Sequence, residues 1–186
     1  MDIKNDINFN EVKNIRWDLS DLFENIHDPE ITNLISLSSD RAVAFKQKYK
    51  DRVKDLHPLE LNKAYTELVE VFEPAYRVHQ FSSLSLSTNT SDDDIKSLSS
   101  NIEQKLSNIS NNVLFFNLEL AKRNDLIDLA NSPELEDFTY NLKQIYKTRK
   151  FNLSEEEEQL INLKSITGKN AFKKLYQEYT SSFTFK

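Results

Sequence analysis

Apolar residues recur at steps of three and four along most of the 186-residue chain, the period of helices that bury one face. Asp28-Pro29-Glu30 predicts the first long helix, with Asp28 accepting free amides and Pro29 in the first helical position. Its stripe is Ile31, Leu34, Ile35, Ala42, Phe45, Tyr49 and Val53. It is expected to end near Leu56, because the residue before Pro58 is pushed out of the helical region. Pro58 opens a second helix with Leu61, Ala64, Leu68, Val71, Phe72, Ala75 and Val78 inside. The period continues past Pro74, which reads as a kink. After the polar run Ser87–Ser91, Ser91 and Asp94 resemble a capping box with Asp for Glu. The third helix then carries Ile95, Leu98, Ile102, Leu106, Ile109, Val113, Phe116 and Leu120.

Shorter elements follow. Asp125–Ala130 reads as a short helix, and Ser132-Pro133-Glu134 starts another with Leu135, Phe138, Leu142, Ile145 and Tyr146 inward. Ser154-Glu155-Glu156-Glu157 is a full capping box whose helix should stop at Gly168. Ala171–Tyr179 is helical, and the alternation Ser182-Phe183-Thr184-Phe185 reads as a strand within Thr180–Lys186. Ahead of the first helix, Trp17 to Phe23 reads as an apolar anchor for the core, and residues 1–16 as a flexible N-terminus. The fold class is therefore all-α: an elongated bundle of long antiparallel helices with a short C-terminal β-strand.

Composition narrows the chemistry. The only glycine is Gly168, which excludes glycine-rich phosphate cradles and the nucleophile elbow, since each needs at least two. No cysteine is present, so disulfides and thiolate sites are excluded. A net charge of −6 argues against general nucleic-acid binding. Met1 to Asp6 lacks the basic start and apolar run of a secretory signal, and no stretch approaches the ~20 apolar residues that span a bilayer. The expected location is cytoplasmic, without membrane or nucleic-acid partners.

Candidate chemistry is sparse. His27 and His57 precede proline-started helices as loop polar groups, and His79 reads as a packed histidine beside Tyr76 and Phe81. No H-E-x-x-H motif occurs. Asp92-Asp93-Asp94 and Glu155 to Glu158 occupy first turns of helices, where negative charge offsets the exposed amides. Gly168-Lys169 resembles the end of a P-loop but lacks the earlier glycine and the following hydroxyl. Tyr146-Lys147-Thr148-Arg149-Lys150-Phe151 is a basic-aromatic cluster best read as a helix C-terminus. No catalytic and no metal-binding residue is assigned, and substrate-binding residues are unknown.

Two stretches nevertheless resemble one family. Trp17-Asp18-Leu19-Ser20-Asp21-Leu22-Phe23 is similar to the opening of the oligoendopeptidase F branch of the M3 zinc metallopeptidases. Leu153-Ser154-Glu155-Glu156-Glu157-Glu158, then Lys164 to Gly168, Ala171-Phe172, Leu175-Tyr176 and Thr180 to Phe185, resemble the end of that family's N-terminal region. Between them, Asn112 to Leu120 is similar to its long third helix. The resemblance implies a zinc metalloendopeptidase that hydrolyses oligopeptides inside a helical channel, with zinc on an H-E-x-x-H helix. No position here matches that motif, so residues 17–186 are expected to be the helical N-terminal domain, binding no zinc, inactive alone and partnered by a catalytic domain absent from this chain. Its expected role is a channel wall that restricts substrate access. The alternative from another class is a stand-alone helical interaction module without enzymatic activity.

Overall fold

The computed structural model describes residues 17–183; the expected flexible N-terminus, residues 1–16, lies outside them. Three long helices form the body: α1 (Pro29–Tyr49), α2 (Pro58–Thr88) and α3 (Asp93–Ala121). The short α4 (Leu126–Ala130) and a 3-10 segment (Pro133–Phe138) lead to α5 (Thr139–Thr148), α6 (Glu155–Thr167) and α7 (Lys169–Ser181). No helix among the described residues is long and apolar enough to cross a membrane.

Local chemistry sets the helix starts. Asp28 Oδ1 accepts from the Glu30 N–H at 2.9 Å, as its position before Pro29 requires. The third helix is capped one residue later than expected. Asp92, not Ser91, accepts from the Asp94 and Ile95 amides at 3.0 and 3.1 Å, while Ser91 bonds the Asn89 side chain. The Ser154–Glu157 capping box closes in both directions, at 2.9 and 3.3 Å.

The first helix ends at Tyr49, well short of Leu56. Asp51 adopts the left-handed conformation (φ 66°), which aspartate tolerates better than most residues. The Glu119 carboxylate of α3 accepts from the Asp51 and Val53 amides at 2.9 and 3.3 Å. A short 3-10 turn, Val53–Asp55, then places Val53 in the core. The break was invisible to periodicity because Val53 returns to the inner face after it.

Through Pro74, α2 continues as one element. Proline removes the N–H that would reach the Glu70 carbonyl. Arg41 of α1 donates to that carbonyl at 2.7 Å. The neighbouring Ala75 N–H donates to Ser38 Oγ at 3.0 Å, and Ser38 is fully buried. A neighbouring helix thus satisfies groups that the proline frees, which explains a serine at the centre of an apolar stripe.

The core runs between the three long helices. Phe116 is fully buried, with ring centroids 5.4 Å from Phe45 and 5.2 Å from Tyr65. Tyr65 stacks on Phe138 at 4.5 Å, tying the 3-10 segment to the bundle. Phe115 and Leu118 are also buried, so the end of α3 is covered on two sides. At the other end Phe23 packs against Phe81 at 5.0 Å, with Leu19 and Leu22 beside it. The anchor docks as expected, although Trp17 itself is exposed.

Tyr65 donates its hydroxyl to Asn141 Oδ1 at 2.9 Å, and burial pushes its phenol well above the ordinary value. In the unfolded chain a tyrosine loses its proton near pH 10. Above that pH the folded state holds a proton that the unfolded state has released, so stability present below about pH 10 is lost as the pH rises. Urea melts at successive alkaline pH values should show this fall, and Tyr65→Phe should make it shallower. An identical slope in the variant would contradict the assignment.

The expected C-terminal strand is not formed. Thr180 and Ser181 belong to α7, and the Ser182 and Phe183 amides donate back to the Tyr179 and Thr180 carbonyls, each at 3.3 Å. Phe183 lies one turn beyond Tyr179, with ring centroids 4.9 Å apart. The helical i, i+4 pair therefore prevails over a two-residue alternation that has no partner strand. The described residues contain no strand; Thr184–Lys186 lie outside them.

Candidate functional site

The junction between the bundle and the C-terminal third is built from charged groups. Arg123, just past α3, donates to the Val53 and Leu56 carbonyls at 2.8 Å each. It also holds Asp125 through Nε and Nη2, at 2.9 and 2.7 Å, which keeps the Asp125 carboxyl below the usual range. Lys50 pairs with Glu155 at 2.8 Å, and this contact raises the lysine. A crevice of about 320 Å³ opens here, between Glu119, Phe115, Leu118, Arg149 and Leu153. Of the acids that line it with Asp51, Glu119 is bonded to two backbone amides and Glu155 to Lys50, while Ser154 Oγ accepts from the Glu157 amide as a helix cap.

Beyond it, α6 and α7 run antiparallel to α3. The pairs Lys50–Glu155, Asn111–Asn162 at 2.9 Å, Lys174 with Ser100 and Glu103 at 3.3 and 3.1 Å, and Thr90–Ser181 at 3.1 Å succeed one another along the bundle. The break between the two helices falls at Gly168, where an added Cβ would sit 2.9 Å from the Lys164 carbonyl oxygen. The inward groups are mostly polar: Glu155, Gln159, Asn162 and Lys174 are half-buried, with Ile166 the apolar exception. The outward groups are large and apolar. Leu160, Ile161, Phe172, Leu175, Tyr176 and Tyr179 are all exposed, Phe172 by 73% and Tyr176 by 69%. Neither helix buries a single residue.

The residues singled out from sequence have structural places. His27 and His57 are exposed, and His79 is half-buried on α2. The Glu60 carboxylate accepts from the His57 backbone N–H at 3.0 Å. Asp92 and Glu157 act as helix-start groups. In the basic-aromatic cluster, Arg149 lies 4.2 Å over the Tyr146 ring and donates to the Arg123 carbonyl at 3.4 Å. Ser38, Arg41, Glu119 and Arg123 were missed. For Glu119 a signal existed: an acid inside the apolar run Phe115–Ala121.

Among the described residues no group of three or more His, Cys, Asp or Glu could hold a metal ion. A resident zinc therefore does not fit the described residues.

This is an all-helical domain with a charged junction and an inverted C-terminal helix pair. The family model for oligopeptidase F matches residues 122–185, the segment that begins at that junction. An oligoendopeptidase F homolog from Borreliella burgdorferi is 29% identical over 182 residues, covering 96% of this chain and 28% of the relative. The chain is thus similar to the N-terminal part of an oligopeptidase F-type protein. It spans little more than a quarter of that relative's length. No solved structure matches it.

Proposed function

We propose that this chain is the N-terminal wall domain of an oligopeptidase F-type zinc metalloendopeptidase that hydrolyses oligopeptides in the cytoplasm. Bond cleavage belongs to a catalytic domain outside these residues. The observation that carries this reading is similarity to an oligoendopeptidase F homolog along nearly the whole chain, without any cluster of metal-ligating side chains among the described residues.

The helices suit a wall. They contain 21, 31 and 29 residues, which at 1.5 Å per residue gives lengths of roughly 30–45 Å. None contains glycine. Such rods limit entry to chains thin enough to thread past them, and hold a bound peptide against the reacting groups, which raises turnover by positioning.

The test grafts this chain in place of the 182 aligned residues of the Borreliella homolog and compares it with the same graft lacking residues 28–121. Peptides of graded length and an unfolded protein are the substrates. The intact graft should favour short peptides. The shortened one should keep its zinc, lose that preference and turn over more slowly. An unchanged length profile would show that these helices do not gate the site.

A further inference from the structure

We infer that the outward face of α6 and α7 is a docking surface for the polypeptide that oligopeptidase F proteins carry outside this region. A helix on a folded domain ordinarily turns its apolar side inward. Here the order is reversed: Asn162 and Lys174 face α3 through hydrogen bonds and an ion pair, while Phe172, Leu175, Tyr176 and Tyr179 form a stripe at i, i+3, i+4 and i+7 pointing away. Leu160 and Ile161 extend the apolar surface onto α6. A contiguous patch of this kind marks an interface.

Charge and length select the occupant. Glu156 and Glu157 lie exposed at one end of the strip, and Lys169 and Lys173 lie exposed near its middle. Any twofold pairing of two copies about that middle sets lysines against lysines, which costs affinity. The 26 residues of the two helices form a strip of roughly 40 Å at 1.5 Å per residue, a footprint suited to a domain and longer than a short peptide fills. The Borreliella relative, of which this chain covers 28%, has that much further polypeptide. The occupant is that remainder, presenting an apolar surface with acidic groups near Lys169 and Lys173. Gly168, where a side chain would strike the Lys164 carbonyl, lets the two helices break and follow its contour.

This inference rests on the reading of the chain as one domain of a longer peptidase, but its readout is independent of activity. Amide hydrogen exchange is measured on the chain alone and on the graft into the Borreliella homolog. Amides of residues 155–181 should exchange at least tenfold more slowly in the graft, with residues 29–121 little changed. Phe172→Ser with Tyr176→Ser, both exposed and so harmless to the bundle, should abolish that protection; Leu59→Ser and Val69→Ser, exposed on α2, should not. Equal exchange in graft and chain would overturn the inference, as would protection that survives the Phe172 and Tyr176 changes. A dimer of the isolated chain in sedimentation that the same two changes dissolve would assign the face to a second copy instead. A graft with protected helices but no peptidase activity would leave the docking surface standing and remove the proposed function.

Discussion

Phe116→Ala should lower the unfolding free energy by about 3–5 kcal/mol, the usual cost of emptying a large aromatic site in a core. Whole domains of this kind hold only about 5–15 kcal/mol, so the variant should lose a large share of the total. The size follows from position. Phe116 has no exposed surface and its ring meets Phe45 of α1 and Tyr65 of α2, so one deletion opens a cavity at the meeting of all three long helices. Neighbouring backbone cannot collapse into it without moving a whole helix. As a control, Leu59→Ala alters a side chain that is 72% exposed and should change stability by no more than about 0.5 kcal/mol. Denaturant melts of the two variants measure the difference. Comparable losses would mean that the core lies elsewhere.

The next largest effect should come from Arg123→Ala, at about 1.5–3 kcal/mol, the range for hydrogen bonds to a charged group. Its guanidinium is mostly buried and satisfies two carbonyls in the α1–α2 connection. The same guanidinium holds Asp125 ionised below the ordinary carboxylate value. The folded carboxyl therefore binds its proton less readily than the unfolded one, whose value is near 3.9. The contribution of this pair is present above that pH and is lost as the pH falls through the lower folded value. Exposure of Asp125 keeps that part small. Arg123→Ala should thus lower the plateau near neutral pH and flatten the acid limb slightly. A variant that melts like the parent would remove Arg123 from the junction.

The bundle was legible because its helices obey simple rules. Ile31, Ile35, Ala42 and Phe45 repeat at helical steps on α1, and Asp28-Pro29 and Pro58 mark starts by chemistry that acts within one turn. What stayed hidden depends on partners distant in sequence. Tyr49 ends α1 because Glu119, far along the chain, captures the Asp51 and Val53 amides. Ser38 tolerates burial because Pro74 leaves neighbouring backbone in need of it. No local pattern encodes either meeting. Phe183 and Phe185 alternate as a strand would, yet alternation is a weak signal over so few residues, and the backbone of α7 carries on through Ser181.

The C-terminal helices give a different lesson. Their apolar stripe was visible in Phe172, Leu175, Tyr176 and Tyr179, but periodicity tells only that a face is apolar, never which body covers it. The structure turns the stripe outward.

The most direct test of the account compares the isolated chain with the graft into the Borreliella homolog, assaying both for bound zinc and for chelator-sensitive hydrolysis of one oligopeptide. Zinc and cleavage are expected in the graft, both lost on chelation, and neither in the isolated chain. One tightly held zinc per isolated chain, with peptide cleavage that a chelator abolishes, would contradict it.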